Sequence, residues 1–546
     1  MADQTSESKG GRWDTADVLQ HAQKIFTPVT LPCGRVVPNR LVKAPLYEHL
    51  SPVWGSAPNA SHLAMYAKWG AGRWGIVMTG NVQVDKQHLS LGRDMVIPEE
   101  ITPDTLAPWR RLASAIHTGS IEPPSATSPP PKFAEALGRP LALIQLSHAG
   151  RQSFNVYGGR APFAPPLAPS AVRLGEVSAA AEGWLSQAVH RLMIQTPREM
   201  TLDDIRTVVA EFVRGAQVAA QSGFDGVQVH AAHGYLISQF ISPKSNRRTD
   251  EYSADTDPLH LLRDVVQAIR APGVVPDDFV VGVKLNSADY ARDNASLLEN
   301  RAFDHVREIG TWGLVDFIEV SGGDYEDPQF ADSTDKPKSS RQVIFESFAE
   351  RSMEILAARP PSSTARPPPL VCLTGGLTTL PKMASVLAYE HAHLLGIGRL
   401  AVTRPLLPAE LHAALAEPAP EPVEALLIEP PRLDARGVGF PPRSYASWRG
   451  LEHALCWVLA LVWRFVPARI PRLVGASGSV AWYNIMMRRI AAGQDLDYTI
   501  GTIGAVLRFY LAPYPPSDPD AAHGVGRWTV AALLGVVIGI GLGQVL

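Results

Sequence analysis

"TLDDIRTVVAEFVRGAQVAAQSGFDGVQVHAAHGY", running from Thr201 to Tyr235, changes its hydrophobic period part-way along. Ile205, Val208, Val209, Phe212, Val213, Ala216 and Ala219 recur at helical spacing, with Thr201 as the N-cap and Gly223 as the stop. Past Gly223 the run narrows to a short apolar strand, in which Val227 and Val229 point one way and Gln228 and His230 the other. A surface helix that feeds a buried strand is the repeating unit of a parallel α/β fold.

Working outward, seven further runs of the same kind lie between residues 39 and 400. They are "NRLVKAP" from Asn39, "WGIVMTGNV" from Trp74, "PLALIQLSH" from Pro140, "FVVGVKLNS" from Phe279, "VDFIEVSGG" from Val315, "LVCLTGG" from Leu370 and "HLLGIGR" from His393. With "FDGVQVHAA" from Phe224 they make eight, each followed by polar or helical sequence. Continuous apolar strands imply a parallel sheet covered on its outside, and eight is the number that closes a (β/α)8 TIM barrel. In that fold the active site forms at the carboxyl ends of the strands, where the polar residues of these runs fall.

The rest of the chain is read as appendages to a barrel over residues 25–416. Residues 1–24 are polar and are expected to form a disordered tail, 417–447 a Pro-rich linker and 448–515 a mostly helical region. Residues 528–546, "WTVAALLGVVIGIGLGQVL", are uncharged and roughly long enough to cross ~30 Å of hydrocarbon. With Arg527 before them they read as a C-terminal transmembrane tail anchor on a cytosol-facing membrane, the alternative being a buried terminal helix. Gly535, Gly539 and Gly543 would line one face of that helix and allow a homo-oligomeric contact.

Composition narrows the function classes. A net charge of −3, with 50 basic and 53 acidic residues, leaves no electrostatic footprint for nucleic acid. The three cysteines lie far apart, which argues against zinc ribbons, iron–sulfur ligation and a disulfide framework.

At the strand ends, His230, His233 and Tyr235 lie within six residues and allow three readings: a metal site, an acid/base site or packing. A metal normally needs a third protein ligand, and no nearby pattern supplies one, so no metal site is expected. Two imidazoles can hold a carbonyl oxygen, and a nearby phenol can supply a proton. Gly375 and Gly376 on the seventh run, and Gly398 and Arg399 on the eighth, offer glycine backbone and a guanidinium to a phosphate. Lys284 would set a positive charge inside the mouth or form a buried ion pair with Asp289 or Glu319. Gln145 can offer both a donor and an acceptor to a pyrimidine edge.

These runs, in this order, together with "IQLSHAGRQS", "FDGVQVHAAHGYLISQFISPKSNRRTDEYS" and "IEVSGGDYE", resemble the old yellow enzyme family of NADH:flavin oxidoreductases over roughly Phe26 to Pro408. The resemblance implies FMN at the barrel mouth, NADH or NADPH as reductant, and hydride transfer from flavin N5 to the β-carbon of an activated alkene such as an α,β-unsaturated carbonyl compound. It implies that His230 and His233 bind the substrate's oxygen and that Tyr235 protonates the α-carbon. Pro45 and Leu46 would back the flavin ring, Gly80 or Asn81 would touch it, Gln145 would meet its pyrimidine edge and Lys284 its N1/O2 region. Tyr47 stands where many members carry a small residue, and Lys284 where many carry Arg. Oxidation or isomerisation on the same cofactor, and a catalytically silent tethered barrel, are the alternatives.

Overall fold

The computed structural model describes residues 15–122, 137–175, 190–286, 295–321, 338–358, 366–416 and 472–498, with 500, 505, 508 and 509. Eight strands close a barrel: β1 (Leu41–Lys43), β2 (Ile76–Gln83), β3 (Leu141–Ser147), β4 (Gly226–Ala231), β5 (Val280–Asn286), β6 (Phe317–Ser321), β7 (Leu370–Thr374) and β8 (Leu394–Ile397). Each pairs in parallel with its sequence neighbour, and β8 pairs back onto β1. Each of the eight apolar runs falls on one of these strands. A ninth short strand, Met95–Val96, hangs on the end of β2.

The helix read before β4 spans Leu202–Gln221, with Thr201 accepting the backbone N–H of Asp204 in a reciprocal capping box. It stops before Gly223, whose φ of 84° suits glycine. Ile205, Val208, Phe212, Ala216 and Ala219 are buried along one face, as the spacing requires.

The bottom of the barrel is closed by ion pairs. Asp225, just before β4, accepts the backbone N–H of Ala142 at 2.8 Å and pairs with Arg35, Arg139 and His117. Asp316, before β6, pairs with Arg270 and accepts the N–H of Val281. Charges at this end brace strand starts and leave the opposite, carboxyl end for chemistry.

Four helices used below are α1 (Thr15–Ala22), α2 (Ala60–Ala71), α3 (Leu236–Ile241) and α4 (Arg472–Ala491). Residues 15–22, expected inside a disordered tail, form α1 instead: Val18 and Ala22 are buried, and the helix packs on Leu380–Ala388. Of the region 448–515 read as mostly helical, residues 472–491 form α4. α4 packs on α2 and on Arg399–Thr403, and Trp482, Met486 and Met487 join the barrel's hydrophobic core. The linker 417–447 and the apolar stretch 528–546, with Gly535, Gly539 and Gly543, lie outside the described residues. Among the described residues no helix is long and apolar enough to cross a membrane.

Candidate active site

Strand register sets side chains of neighbouring strands side by side in two adjacent layers. Gln145 on β3 stands beside Gln228 on β4, and His230 on β4 beside Lys284 on β5, which stands beside Glu319 on β6. All five are buried. They form a chain of hydrogen bonds: Lys284 Nζ donates to Glu319 Oε1 at 2.9 Å, Gln228 Nε2 donates to Glu319 Oε2 at 2.7 Å, and Gln145 Nε2 donates to Gln228 Oε1 at 2.7 Å. A carboxylate accepts only, so it fixes the direction of both amides. Of the two alternatives read for Lys284, the ion pair with Glu319 is present, and Asp289 lies outside the described residues. One of the two amide N–H groups of Gln145 is given to Gln228, and its buried Oε1 has no partner among the described residues.

The His230–Tyr235 loop is held from behind by the "SHAGRQ" segment and by α3. Leu236 N–H donates to His148 O at 3.0 Å, Gln152 Nε2 to His233 O at 2.8 Å and Gln239 Nε2 to Gly234 O at 2.8 Å. These bonds hold His233 at a φ of 58°, a left-handed conformation that a non-glycine residue adopts only under such constraint. Within the loop Ala232 N–H points at His230 Nδ1 at 3.3 Å, which leaves the ring proton of a neutral His230 on Nε2. That Nε2 lies 3.4 Å from His233 Nδ1, and His233 Nε2 lies 3.1 Å from Ser321 Oγ. Burial first, then each other's proximity and Lys284, hold His230 well below the ordinary histidine range; burial and Lys284 do the same to His233. Tyr235 caps α3 and is buried, its ring 4.7 Å from that of His230.

Around this group stand the remaining expected residues. Pro45, Leu46 and Tyr47 follow β1 and are half-buried. The pairing of β2 with β3 is irregular between Met78 and Asn81, and there Gly80 N–H turns toward Glu48 Oε1 at 2.8 Å and Tyr66 Oη at 2.9 Å. Asn81 is buried with its amide 3.5 Å from Ser147 Oγ, beside Gln145 in register. Gly375 and Gly376 follow β7 with φ of 125° and 69°, values open to glycine. At Gly398, after β8, an added Cβ would meet only Leu46 Cδ2 within 4 Å, at 3.7 Å, so backbone there is open to close approach. Arg399 is exposed next to it.

Three features escaped the sequence reading. Glu319 and Gln228 orient Gln145; the alternation along β4 places Gln228 inward with His230, but nothing in sequence pairs it with β6. Tyr47 does not project freely into the site. Its hydroxyl accepts from Gln83 Nε2 at 3.0 Å and bonds Asp94, and its ring stacks on His49. Third, Asp85, His88 and His148 bring their polar atoms within 4.8 Å of one another, the geometry of a metal site. Their tautomers oppose that use. Leu167 N–H donates to His88 Nε2 at 2.9 Å and Gly150 N–H to His148 Nδ1 at 3.0 Å, so each neutral ring turns an N–H, not a lone pair, toward Asp85.

Burial pushes the Asp94 carboxyl up from 3.8 to about 7, against the opposing bonds from Gln83, Tyr47 and Ser90. A folded-state value above the unfolded one means that the native protein holds more protons between these two pH values, so stability falls as pH rises through that window. Asp94→Asn is therefore expected to gain on the wild type by as much as ~4 kcal/mol between pH 4 and pH 7. Urea unfolding at both ends of the window measures it, and a pH-independent gap contradicts it.

Residues 138–417 match the NADH:flavin oxidoreductase / NADH oxidase family. The NADH-dependent flavin oxidoreductase iliE of Hypocrea jecorina is 35% identical over 386 residues, covering 70% of this chain and 87% of that protein. The chain belongs to this family. A namesake from Neonectria sp. is 37% identical, but this chain spans only 46% of its length. Among solved structures, morphinone reductase superposes with a TM-score of 0.51 at 21% identity over 72% of this chain and 91% of its own. An old yellow enzyme homologue from Zymomonas mobilis gives 0.51 at 22% over 75% and 97%. At these identities the two structures speak for the barrel alone.

As a NADH:flavin oxidoreductase the chain takes FMN and is reduced by NAD(P)H. The residues present fit that cofactor. The orphaned acceptor of Gln145 suits the ring's imide N–H, and the positive-φ glycines after β7 with the open backbone at Gly398 suit a phosphate.

Proposed function

We propose that this flavin oxidoreductase reduces the C=C bond of an α,β-unsaturated carbonyl or similarly activated compound, with Tyr235 as the proton donor. The observation that carries the reading is the neutral His230–His233 pair, 3.4 Å apart, with Tyr235 packed on His230 one loop beyond the strand end. FMN, when bound and reduced by NAD(P)H, supplies the hydride.

The protein's own residues supply the rest. His230 Nε2–H meets His233 Nδ1 at a length where a hydrogen bond is weak, so a substrate oxygen competes for it readily. An imidazole N–H on that oxygen draws electron density from the alkene and stabilises the enolate character that develops as the β-carbon accepts hydride. Tyr235 then gives its hydroxyl proton to the α-carbon, and the phenolate recovers a proton from solvent. Burial of His230 and Tyr235 limits the water that could compete for the developing charge. His230, His233, Tyr235, Lys284 and Gln145 thus divide between substrate and cofactor, with Pro45, Leu46, Gly80 and Asn81 proposed as the wall of the ring pocket, and Gly375, Gly376, Gly398 and Arg399 as the phosphate end.

Because both histidines are held neutral far below pH 6.5, neither titrates in the neutral range. The rate of alkene reduction is expected to stay flat on its acid side between pH 6 and pH 8, and a fall centred near pH 6.5 would count against the assignment. Anaerobic turnover of 2-cyclohexen-1-one with NADH tests the activity itself. Formation of the saturated ketone supports it; a flavin that bleaches without any alkene reduction points to oxidation or isomerisation chemistry instead.

A further inference from the structure

The loop after β1 carries Leu46, Tyr47, Glu48 and His49, and it is gripped from two sides. From inside, Glu48 is buried and bonded to the Tyr66 hydroxyl of α2 and to Gly80 N–H. From outside, the grip comes from residues far along the chain, beyond the segment matched to the family. Arg488 on α4 donates from Nη2 to His49 O at 3.2 Å, and its guanidinium lies 5.2 Å from the centroid of the Phe509 ring. Phe509 meets the His49 imidazole edge-on at 5.1 Å, and both Arg488 and Phe509 are buried. The His49 ring in turn lies parallel to Tyr47, 4.7 Å away and tilted by 14°.

His49 also has a φ of 48°. A non-glycine residue in the left-handed region costs on the order of 1–3 kcal/mol and persists where its surroundings over-determine it. The Gly92 carbonyl, 3.0 Å from His49 Nδ1, is one such restraint, and Arg488 and Phe509 are the others. Their combined target is a single residue, held at its backbone carbonyl by Arg488 and at its ring by Gly92 and Phe509, and that ring stacks on Tyr47, whose hydroxyl ends on Gln83 and Asp94.

We propose that the C-terminal segment is a positioning element of the active site: Arg488 and Phe509 clamp His49, and through the stacked His49 ring they fix Tyr47 beside the cofactor. The proposal rests on the reading of Pro45, Leu46 and Tyr47 as a wall of the FMN pocket. Tyr47 stands where a small residue is usual in the resemblance drawn from sequence, so a bulky ring there needs a device that keeps it out of the cofactor's way. The C-terminal segment is that device.

The test uses the full chain as wild type, Phe509→Ala, Arg488→Met, Tyr47→Ala and the Phe509→Ala/Tyr47→Ala double variant. Hydrogen–deuterium exchange of residues 46–50 is measured in the FMN-free protein, and the dissociation constant of FMN is measured by its visible spectrum. Loss of either clamping residue is expected to raise exchange in this loop about tenfold while the barrel strands keep their protection. Phe509→Ala is expected to weaken FMN severalfold when Tyr47 is present and not at all when it is absent, a coupling that a merely structural role would not give. Unchanged exchange in both single variants, or an equal effect of Phe509→Ala in both backgrounds, overturns the clamp. If Phe509→Ala fails to fold, Arg488→Met carries the same comparison. A wild type that takes up no FMN overturns the pocket reading, and the proposal with it, whereas FMN binding with unchanged exchange overturns the clamp alone.

Discussion

Tyr235→Phe is expected to slow alkene reduction by roughly 100- to 10,000-fold while leaving reduction of the flavin by NADH unchanged. The substitution removes one oxygen and keeps the ring, so the edge contact with His230 and the cap on α3 survive. What disappears is the proton for the α-carbon. A proton needed only in the transition state affects kcat and kcat/KM alike, whereas a packing role would raise KM or lower stability. Stopped-flow spectroscopy separates the two half-reactions. Equal slowing of both, or no slowing of the second, contradicts the role given to Tyr235.

Glu319→Gln is expected to act on a different quantity, the binding of FMN. Lys284 can only donate, so the new amide must turn its oxygen to Lys284 and its NH2 to Gln228. Gln228 then has to present its oxygen to position 319 and its NH2 to Gln145, and Gln145 has to flip in its turn. The free group of Gln145 changes from an acceptor to a donor, opposite a ring edge that needs an acceptor. A mismatched buried donor costs about 1–3 kcal/mol, which is roughly 10- to 100-fold in FMN affinity. Loss of the Lys284–Glu319 ion pair also leaves a buried ammonium uncompensated and adds a stability loss on the order of 3 kcal/mol. Gln145→Ala supplies the control: in that background Glu319→Gln should keep its stability cost and lose its additional effect on FMN. Wild-type affinity in Glu319→Gln would refute the amide chain as the device that orients Gln145.

How far the sequence was legible follows from which interactions are local. The barrel was readable because each strand is an uninterrupted apolar run bounded by polar residues, as in "FDGVQVHAA", and period and capping are local properties. The His230, His233 and Tyr235 group was readable because six residues of one loop hold all of it. Glu319 was nameable only as one of two partners for Lys284, since which carboxylate lies level with the lysine depends on the register of β5 with β6. Gln228 and Gln145 meet across β3 and β4, and their polarity is set two strands away. His49, Arg488 and Phe509 were invisible altogether: no pattern in a linear chain brings a C-terminal helix to the loop after β1. The same limit explains the treatment of residues 15–22 as tail, because their helix is stabilised by packing on Leu380–Ala388 and not by a strong pattern of its own.

The visible absorption spectrum of the purified full-length chain, recorded before and after anaerobic addition of NADH, bears most directly on the assignment. A yellow protein, or one that becomes yellow on reconstitution with FMN, whose flavin band bleaches with NADH and recovers when an enone is added, is the expected result. A colourless chain that cannot be reconstituted with FMN, or a flavin band that NADH and NADPH leave untouched, would contradict it.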